Sequence, residues 1–395
     1  MKKVDDWELE FLKKLVELDT NSEEKKNYAE CAAVVIERCK EAGLEVEVFD
    51  SKHGGVPQPN VVANLNADSE RTVLLATHYD VVPAGEEDKW TRPPFELTVE
   101  KDAVYGRGTT DNKGNIVASV SAARTLIERD SAEVNWKILI SPNEEIGGVG
   151  GIDYLINGAP KIRGDFGVVV DSSPNYVSIG ASGIVSGTVT IRGTQGHAGM
   201  PFAFTNAIHI SIPVMNALLR FADLRRKITS EYPAPPGSPF QRLWGRFSMT
   251  VYRAGSKTNV IPGKAEISFD CRIIPEENPD DVAKQITEFL RKTREETGIQ
   301  AEVSYITKAN SWVSDQDNAY AKVFHKSVQS VVGEDVPLAA DLGGNDGSFF
   351  VNAGIPAVCY GTIARDNNYH GIDEFMRLDD FEKVKKALIH FAETC

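Results

Sequence analysis

Short, continuously apolar runs alternate with amphipathic stretches over the first 180 residues. RTVLLATH (71–78), WKILISP (136–142) and FGVVVDS (166–172) are rich in β-branched residues and show no polar alternation, the pattern of strands buried on both faces. LEVEVFD (44–50) and NVVANLN (60–66) read as further strands. Residues 5–42 read as two amphipathic helices broken at Thr20-Asn21-Ser22, with Asn21 or Ser22 capping the second. KGNIVASVSAARTLIERD (113–130) places small and apolar residues at helical spacing, with charge only at its end. Strand alternating with helix predicts a doubly wound α/β sheet with helices on both sides.

Near Gly180 the pattern changes. SGIVSGTVTIRGT (182–194) alternates like a half-exposed strand, and a helix is predicted over Asn206–Leu224. The Pro-rich stretch YPAPPGSPF (232–240) follows, then strands in FSMTVYRAG and KAEISFDCRIIP, a helix over Pro279–Thr297, and a last strand QAEVSYIT. The order β-α-β-β-α-β is that of a ferredoxin-like module. From about Ser311 the first style returns: a helix over Ala319–Val332, the strand IPAVCYG, and a final helix over Asp379–Glu393. The expected organisation is therefore an α/β domain of residues 1–180 and 309–395 with an inserted α+β domain of residues 181–308. No internal repeat is evident.

At 395 residues the chain is long enough for two domains. Its net charge of -14 is spread along the sequence rather than blocked, which argues against a nucleic-acid partner. No apolar run approaches the ~18 residues of a membrane span. The lysines at the N-terminus are interrupted by acids with no apolar segment after them, unlike a secretory signal. Five cysteines, widely spaced and without a C-x-x-C pair, suit free thiols in a reducing cytoplasm.

Metal-binding side chains recur where predicted strands run out into loops: His78, Asp111, Glu144-Glu145, Asp171 and His370. Open α/β sheets carry their sites outside the carboxyl ends of their strands. In an extended H-x-D segment His78 and Asp80 fall on one face, so Asp80 can fix the imidazole tautomer. Asp111 follows a glycine-rich turn, where it could ligate an ion or simply cap the next helix. Glu144 and Glu145 repel each other unless a cation lies between them. That pair suggests one metal ligand and one general base, though two solvated loop acids have the same sequence.

THYDVVPAG, W-x-x-x-P-F over Trp90–Phe95, YGRGTTDNKG, PNEEIGG, GTQGHAGMPFAFTNAI, TNVIPG and GGNDGSFF occur in order along the chain. Together they resemble the di-zinc amidohydrolase and peptidase family of succinyl-diaminopimelate desuccinylase, acetylornithine deacetylase, aminoacylase, glutamate carboxypeptidase and several dipeptidases. The resemblance implies two zinc ions, one on His78 and Asp171 and the other on Glu145 and His370, bridged by Asp111. Co²⁺ or Mn²⁺ also suits such a mixed set. It further implies Glu144 as general base, Asp80 as the orienting partner of His78, and a cis peptide between Asp111 and Asn112. His197 would stabilise the oxyanion in the partner subunit of a homodimer formed through the inserted domain. Asn259 and Arg272 would hold a substrate carboxylate, and Gly343 and Gly344 would offer backbone amides.

The Tyr369-His370 context departs from the family's usual Ala-His, and the Pro-rich stretch is longer than the compact biosynthetic members need. The expected reaction is hydrolysis of the amide of an N-acyl amino acid. Cleavage of short peptides by a dipeptidase or carboxypeptidase is the alternative, and a non-catalytic metabolite-binding relative is the reading from another class. The expected partners are these small molecules and a second copy of the chain, with neither nucleic acid nor membrane.

Overall fold

The computed structural model describes residues 4–333 and 336–395. Two compact units divide the chain: residues 1–180, 314–339 and 345–395 form the first, and residues 181–313 with 340–344 the second.

In the first unit the strands run in the order Glu45–Asp50, Pro59–Leu65, Asn135–Ser141, Thr72–His78, Phe166–Val169, Ala357–Cys359 and Val177–Ala181. The strand Thr72–His78 pairs in parallel with Asn135–Ser141 on one side and Phe166–Val169 on the other, and Ala357–Cys359 continues the parallel set. The outer pairings are antiparallel. Val73 to His78 and Phe166 to Val169 are buried throughout, so unbroken apolar runs are what these positions require. Helix Lys113–Arg129 packs on Thr72–His78 and Asn135–Ser141, and against helices Asp6–Val16 and Leu378–Thr394. The four parallel strands end along one edge. His78 closes one, Glu144 follows a second by three residues, and Asp171 follows a third by two.

The start of helix Lys113–Arg129 is crowded. A methyl at Gly114 would collide with the Thr109 carbonyl oxygen and the Met376 sulfur. Gly114→Ala is therefore expected to destabilise the chain by about 2 kcal/mol or more, read as a lower midpoint in urea. A midpoint equal to the parent's would contradict that packing.

In the second unit strands Gly183–Arg192, Arg246–Ala254, Lys264–Ile273 and Ala301–Ala309 form an antiparallel sheet. Numbered in chain order they lie 2-3-1-4, the arrangement of a ferredoxin-like module. Alternate residues Val185, Val189, Ile191, Ile267, Phe269 and Cys271 face one core with Val214, Leu218 and Phe221 of helix Ala207–Arg225 and Val282, Ile286 and Leu290 of helix Pro279–Thr297.

Some expectations need correction. The second helix begins at Tyr28, with Asn27 at its cap position in the left-handed region, so neither Asn21 nor Ser22 caps it. Asn21 instead closes a turn, its Oδ1 accepting from the Glu23 amide at 2.9 Å. The second boundary falls after Val313 rather than 308. Beyond the strand Ala301–Ala309, Ser311 still bonds to the Ile274 carbonyl at 3.1 Å. Helix Ala207–Arg225 has 19 residues at mean hydropathy 1.2, enough by length and composition to cross a membrane. Polar residues interrupt it every few positions, so the helix contains no unbroken apolar run of that length. One face packs on the sheet, and Arg225 at its end is buried against Glu277 at 2.5 Å.

Candidate metal centre

The Glu144–Ile146 turn is bracketed by left-handed residues, Asn143 (φ 82°) before it and Gly147 (φ 101°) after it. Asparagine and glycine tolerate that region best. Asn143 is buried and donates to Gln58 Oε1 at 2.8 Å. The Gly148 amide returns to the Asn143 carbonyl at 2.6 Å. The N-E-E-x-G-G pattern thus folds into a tight loop that sets two adjacent glutamates on the sheet edge.

Asp80 locks this loop to the neighbouring strand. Its Oδ1 and Oδ2 accept from the Glu144 and Glu145 amides, each at 3.2 Å. The same carboxylate lies 3.3 Å from His78 Nδ1, whose ring also meets the Asp80 carbonyl at 3.0 Å. His78 Nε2 then faces Asp111 Oδ1 at 3.1 Å and Asp171 Oδ2 at 3.7 Å. Asp111 turns its other oxygen to His370 Nε2 at 3.0 Å, and Glu145 Oε2 reaches that nitrogen at 3.2 Å. The result is two three-ligand groups, His78–Asp111–Asp171 and Asp111–Glu145–His370, the ligand atoms of each lying within 4.8 Å of one another. They share Asp111. The peptide between Asp111 and Asn112 is cis.

The electrostatics call for positive charge at both points. Burial opposes a charge on His78, yet Asp111, Asp171 and Asp80 outweigh it and raise the imidazole well above its ordinary value. Hydrogen bonds to Asp111 and Glu145 push His370 up to about 11. Burial, then the charge of Asp111, pushes Glu145 up to about 7. Burial also pushes Glu144 well above the usual carboxylate range; the charges of Asp346, Asp171 and Glu145 add to this, against the pull of His78. Burial would raise Asp111 too, but His370 and His78 hold it low.

Glu145 Oε1 is buried with no hydrogen-bond partner. Buried polar atoms are rarely left so, and an ion in the Asp111–Glu145–His370 group would satisfy it. Imidazole and carboxylate donors at these spacings fit a pair of divalent ions of the zinc type.

The second unit holds the remaining predicted residues. His197 is exposed on the short strand Gly196–His197, paired with Val260–Ile261. Its Nδ1 accepts from the Gly199 amide at 3.0 Å, which leaves the neutral ring's proton on Nε2. The Asn259 carbonyl accepts from Ala198 at 3.1 Å, so Asn259 and His197 are neighbours. Arg272 forks onto Asp270 of its own strand at 2.9 and 3.0 Å. Gly343 and Gly344 lie in an open exposed loop where an added methyl at Gly343 meets nothing within 4 Å, so crowding does not explain the glycines.

Two other residues belong to the first unit's site, Asn112 and Asp346, and the sequence gives little signal for either. Asn112 donates to Asp171 Oδ1 at 2.5 Å and to the Val170 carbonyl at 2.9 Å. Asp346 is buried, and its carboxyl is pushed up to about 7, by burial foremost. Its place directly after GGN in a glycine-rich tract was the one available hint.

Residues 74–394 match the model of peptidase family M20/M25/M40. A succinyl-diaminopimelate desuccinylase of Dechloromonas aromatica is 27% identical over 367 residues, 90% of each chain. A metallohydrolase of Methanocaldococcus jannaschii, itself uncharacterised, is 25% identical over 84% of this chain and 83% of its own. Among solved structures, the M20 metallo-carboxypeptidase Sso-CP2 of Sulfolobus solfataricus superposes with a TM-score of 0.81 at 21% identity, covering 99% of both chains. Human carnosine dipeptidase 1 does so with a TM-score of 0.82 at 20% identity, over 98% of this chain and 96% of its own.

Proposed function

The chain belongs to peptidase family M20/M25/M40 and is a dinuclear metal hydrolase, and from that premise we propose that it cleaves the amide bond of an N-acyl amino acid. Succinyl-diaminopimelate desuccinylase and acetylornithine deacetylase are the type reactions. The observation that supports hydrolysis is the pair of three-ligand groups sharing Asp111, with Glu144 beside them. The acyl amino acid is favoured over a peptide by desuccinylase relatives aligned over 90% of the chain at 26–27% identity. The peptidase structures, at 20–21% identity, carry the fold alone.

In this reading His78 and Asp171 hold one zinc, Glu145 and His370 the other, and Asp111 is common to both. When bound, the ions supply Lewis acidity and an attacking water acidified toward neutrality. The chain supplies the rest. Asp80 fixes the ring of His78 and the turn bearing both glutamates. Glu144 takes the water's proton as the C–O bond forms, and returns it to the amine nitrogen as the C–N bond breaks. His197 offers Nε2–H to the carbonyl oxygen as it gains charge, in the partner subunit of a homodimer. Arg272 and Asn259 hold the substrate carboxylate, with Arg272 shared between it and Asp270, and the Gly343 and Gly344 amides assist. A cytoplasmic location is in keeping with the buried thiols of Cys31, Cys39 and Cys271.

The dimer reading draws on an apolar stripe. Ile212 and Leu219 of helix Ala207–Arg225, seven residues apart on one face, are 52% and 54% exposed, and Val251 is exposed on the neighbouring strand Arg246–Ala254 at the edge of the sheet. An open edge beside an apolar helix face invites a second copy. Ile212→Glu with Leu219→Glu is expected to sediment as a monomer where the parent sediments as a dimer. Equal sedimentation of the two would remove this surface from consideration.

The deciding experiment is turnover of the zinc-loaded chain on N-succinyl-diaminopimelate, N-acetylornithine, other N-acetyl amino acids and dipeptides. A kcat/KM above about 10⁴ M⁻¹s⁻¹ on one acyl amino acid, with dipeptides inert, is expected. Preference for dipeptides would move the chain to the peptidases. Bound zinc with no turnover on anything would favour a metabolite-binding relative.

A further inference from the structure

We propose that Arg107 and Glu374 are positioning residues, one buried ion pair that fixes Asp111 and His370 relative to each other and so sets how tightly the ion between them is held. The two side chains are each 1% exposed and come from positions 267 residues apart. Glu374 Oε2 accepts from Arg107 Nη1 at 2.6 Å and from the Gly108 amide at 3.0 Å. Its Oε1 accepts from the Thr110 and Asp111 amides at 3.0 and 3.2 Å. Four donors therefore fill the acceptor sites of one carboxylate. They fix the backbone of the loop that ends in Asp111.

Arg107 carries the same constraint to the other loop. Its Nη2 donates to the carbonyl of Gly371, the residue after His370, at 2.9 Å. The same nitrogen lies 3.3 Å from the carbonyl of Pro83, in the loop that follows Asp80. The His370 loop needs such support. Asn368, His370 and Asp373 all sit at positive φ, 55°, 61° and 56°, without being glycine. Backbone of that kind persists only where its surroundings over-determine it.

The two histidines are anchored in different ways. His78 is 1% exposed, ends a central strand and is fixed by Asp80. The His370 side chain is 49% exposed on an irregular loop. What holds His370 against Asp111 is hydrogen bonding to its loop: Asp373 accepting from Thr91, Asn367 donating to Thr110 Oγ1, and the Arg107–Glu374 pair. Only the last reaches both ligand loops through a single ion pair. A buried ion pair is by itself weak support for stability. Its location beneath two ligand loops is what gives it a function.

The inference rests on the two-metal centre and not on which amide is cleaved, and zinc titration of the parent chain reads that premise separately. Glu374→Gln keeps the shape and removes the charge that faces Arg107. In competition with a chromophoric chelator, it is expected to weaken by 10–100-fold the zinc equivalent that His370→Ala abolishes, leaving the other within about twofold. In the His370→Ala background it should change the remaining equivalent by less than about twofold, a selectivity that a general loss of structure does not produce. Parent affinity for both equivalents in a folded Glu374→Gln chain, or equal weakening of both, overturns the proposal. If Glu374→Gln does not fold by circular dichroism, Arg107→Lys decides on the same criterion, since lysine can meet Glu374 but cannot also span to Gly371. Failure of both variants to fold makes the pair fold-supporting only and overturns it as well.

Discussion

Glu144→Gln leaves a folded, metal-loaded chain whose kcat is about 10²–10⁴-fold below the parent's, with KM nearly unchanged. The expectation follows from what Glu144 touches and what it does not. Its backbone amide, not its carboxylate, bonds to Asp80, so glutamine keeps the turn. The neighbouring Glu145 remains in the Asp111–Glu145–His370 group, so both metal positions survive. What disappears is a carboxyl whose proton affinity is raised by burial and by Asp346, Asp171 and Glu145. A base of that kind accepts a proton from an acidified water and can still release it to an amine. Glutamine does neither, and the loss corresponds to about 3–5 kcal/mol of barrier. Glu144→Asp moves the carboxylate back by one methylene and should recover little, because misplacement by about 1 Å costs on the order of 10²-fold. Glu145→Gln should differ in kind, losing metal together with activity. A Glu144→Gln enzyme within tenfold of the parent would assign the proton to another group, with Asp346 the first candidate.

The metal centre was legible in the sequence because parallel strands advertise their ends. An unbroken apolar run has to stop where the sheet stops, and a His or an acid at that point stands on the edge where sites form. His78 after VLLAT, Glu144-Glu145 after ILIS and Asp171 after GVVV are all read this way, and the structure brings them together. His370 was harder, since its strand ends at Cys359 and ten residues intervene. The ferredoxin-like unit was equally legible, because alternation in Gly183–Arg192 and Lys264–Ile273 maps directly onto one buried face.

What stayed hidden has no period and no local partner. The sheet of Thr98–Glu100, Ala103–Tyr105 and Phe375–Arg377 is built from three-residue strands, too short to show any alternation. Arg107 and Glu374 are single charged residues in loops, and only the fold shows that each is the other's partner. Chemistry carried by residue type at strand ends can be read along a chain; chemistry carried by pairs distant in sequence cannot.

Stripped of metal, the chain should lose stability as pH rises from about 5 to 8, whereas the zinc-loaded chain should hold or gain it. Folded Glu145 and Asp346 are each pushed up to about 7, by burial first, with Asp111 adding to it for Glu145 and Asp171 and Asp80 for Asp346. His370 is pushed up to about 11 by its hydrogen bonds to Asp111 and Glu145. All three bind protons more tightly folded than unfolded. Above about pH 4.5 the unfolded carboxyls ionise first, so the folded state holds the extra protons and stability falls until both carboxyls are ionised, somewhat above pH 7. The histidine's contribution is complete below about pH 6.5 and declines toward 11, which has the same sign. Asp111, held low by His370 and His78 against burial, works the other way, but its contribution is lost only below about pH 4, outside this window. For Glu145 alone, with a side chain 5% exposed, the rise corresponds to about 3 kcal/mol. Bound ions take the place of these protons and require deprotonated ligands, so metal binding strengthens over the range in which the stripped chain weakens. Calorimetric Tm at pH 5, 6.5 and 8, in chelator and in zinc, should therefore diverge by several degrees with rising pH. A chelated chain whose Tm is constant or climbs between pH 5 and 8 would mean that these carboxyls are not gathered around a vacant cationic site.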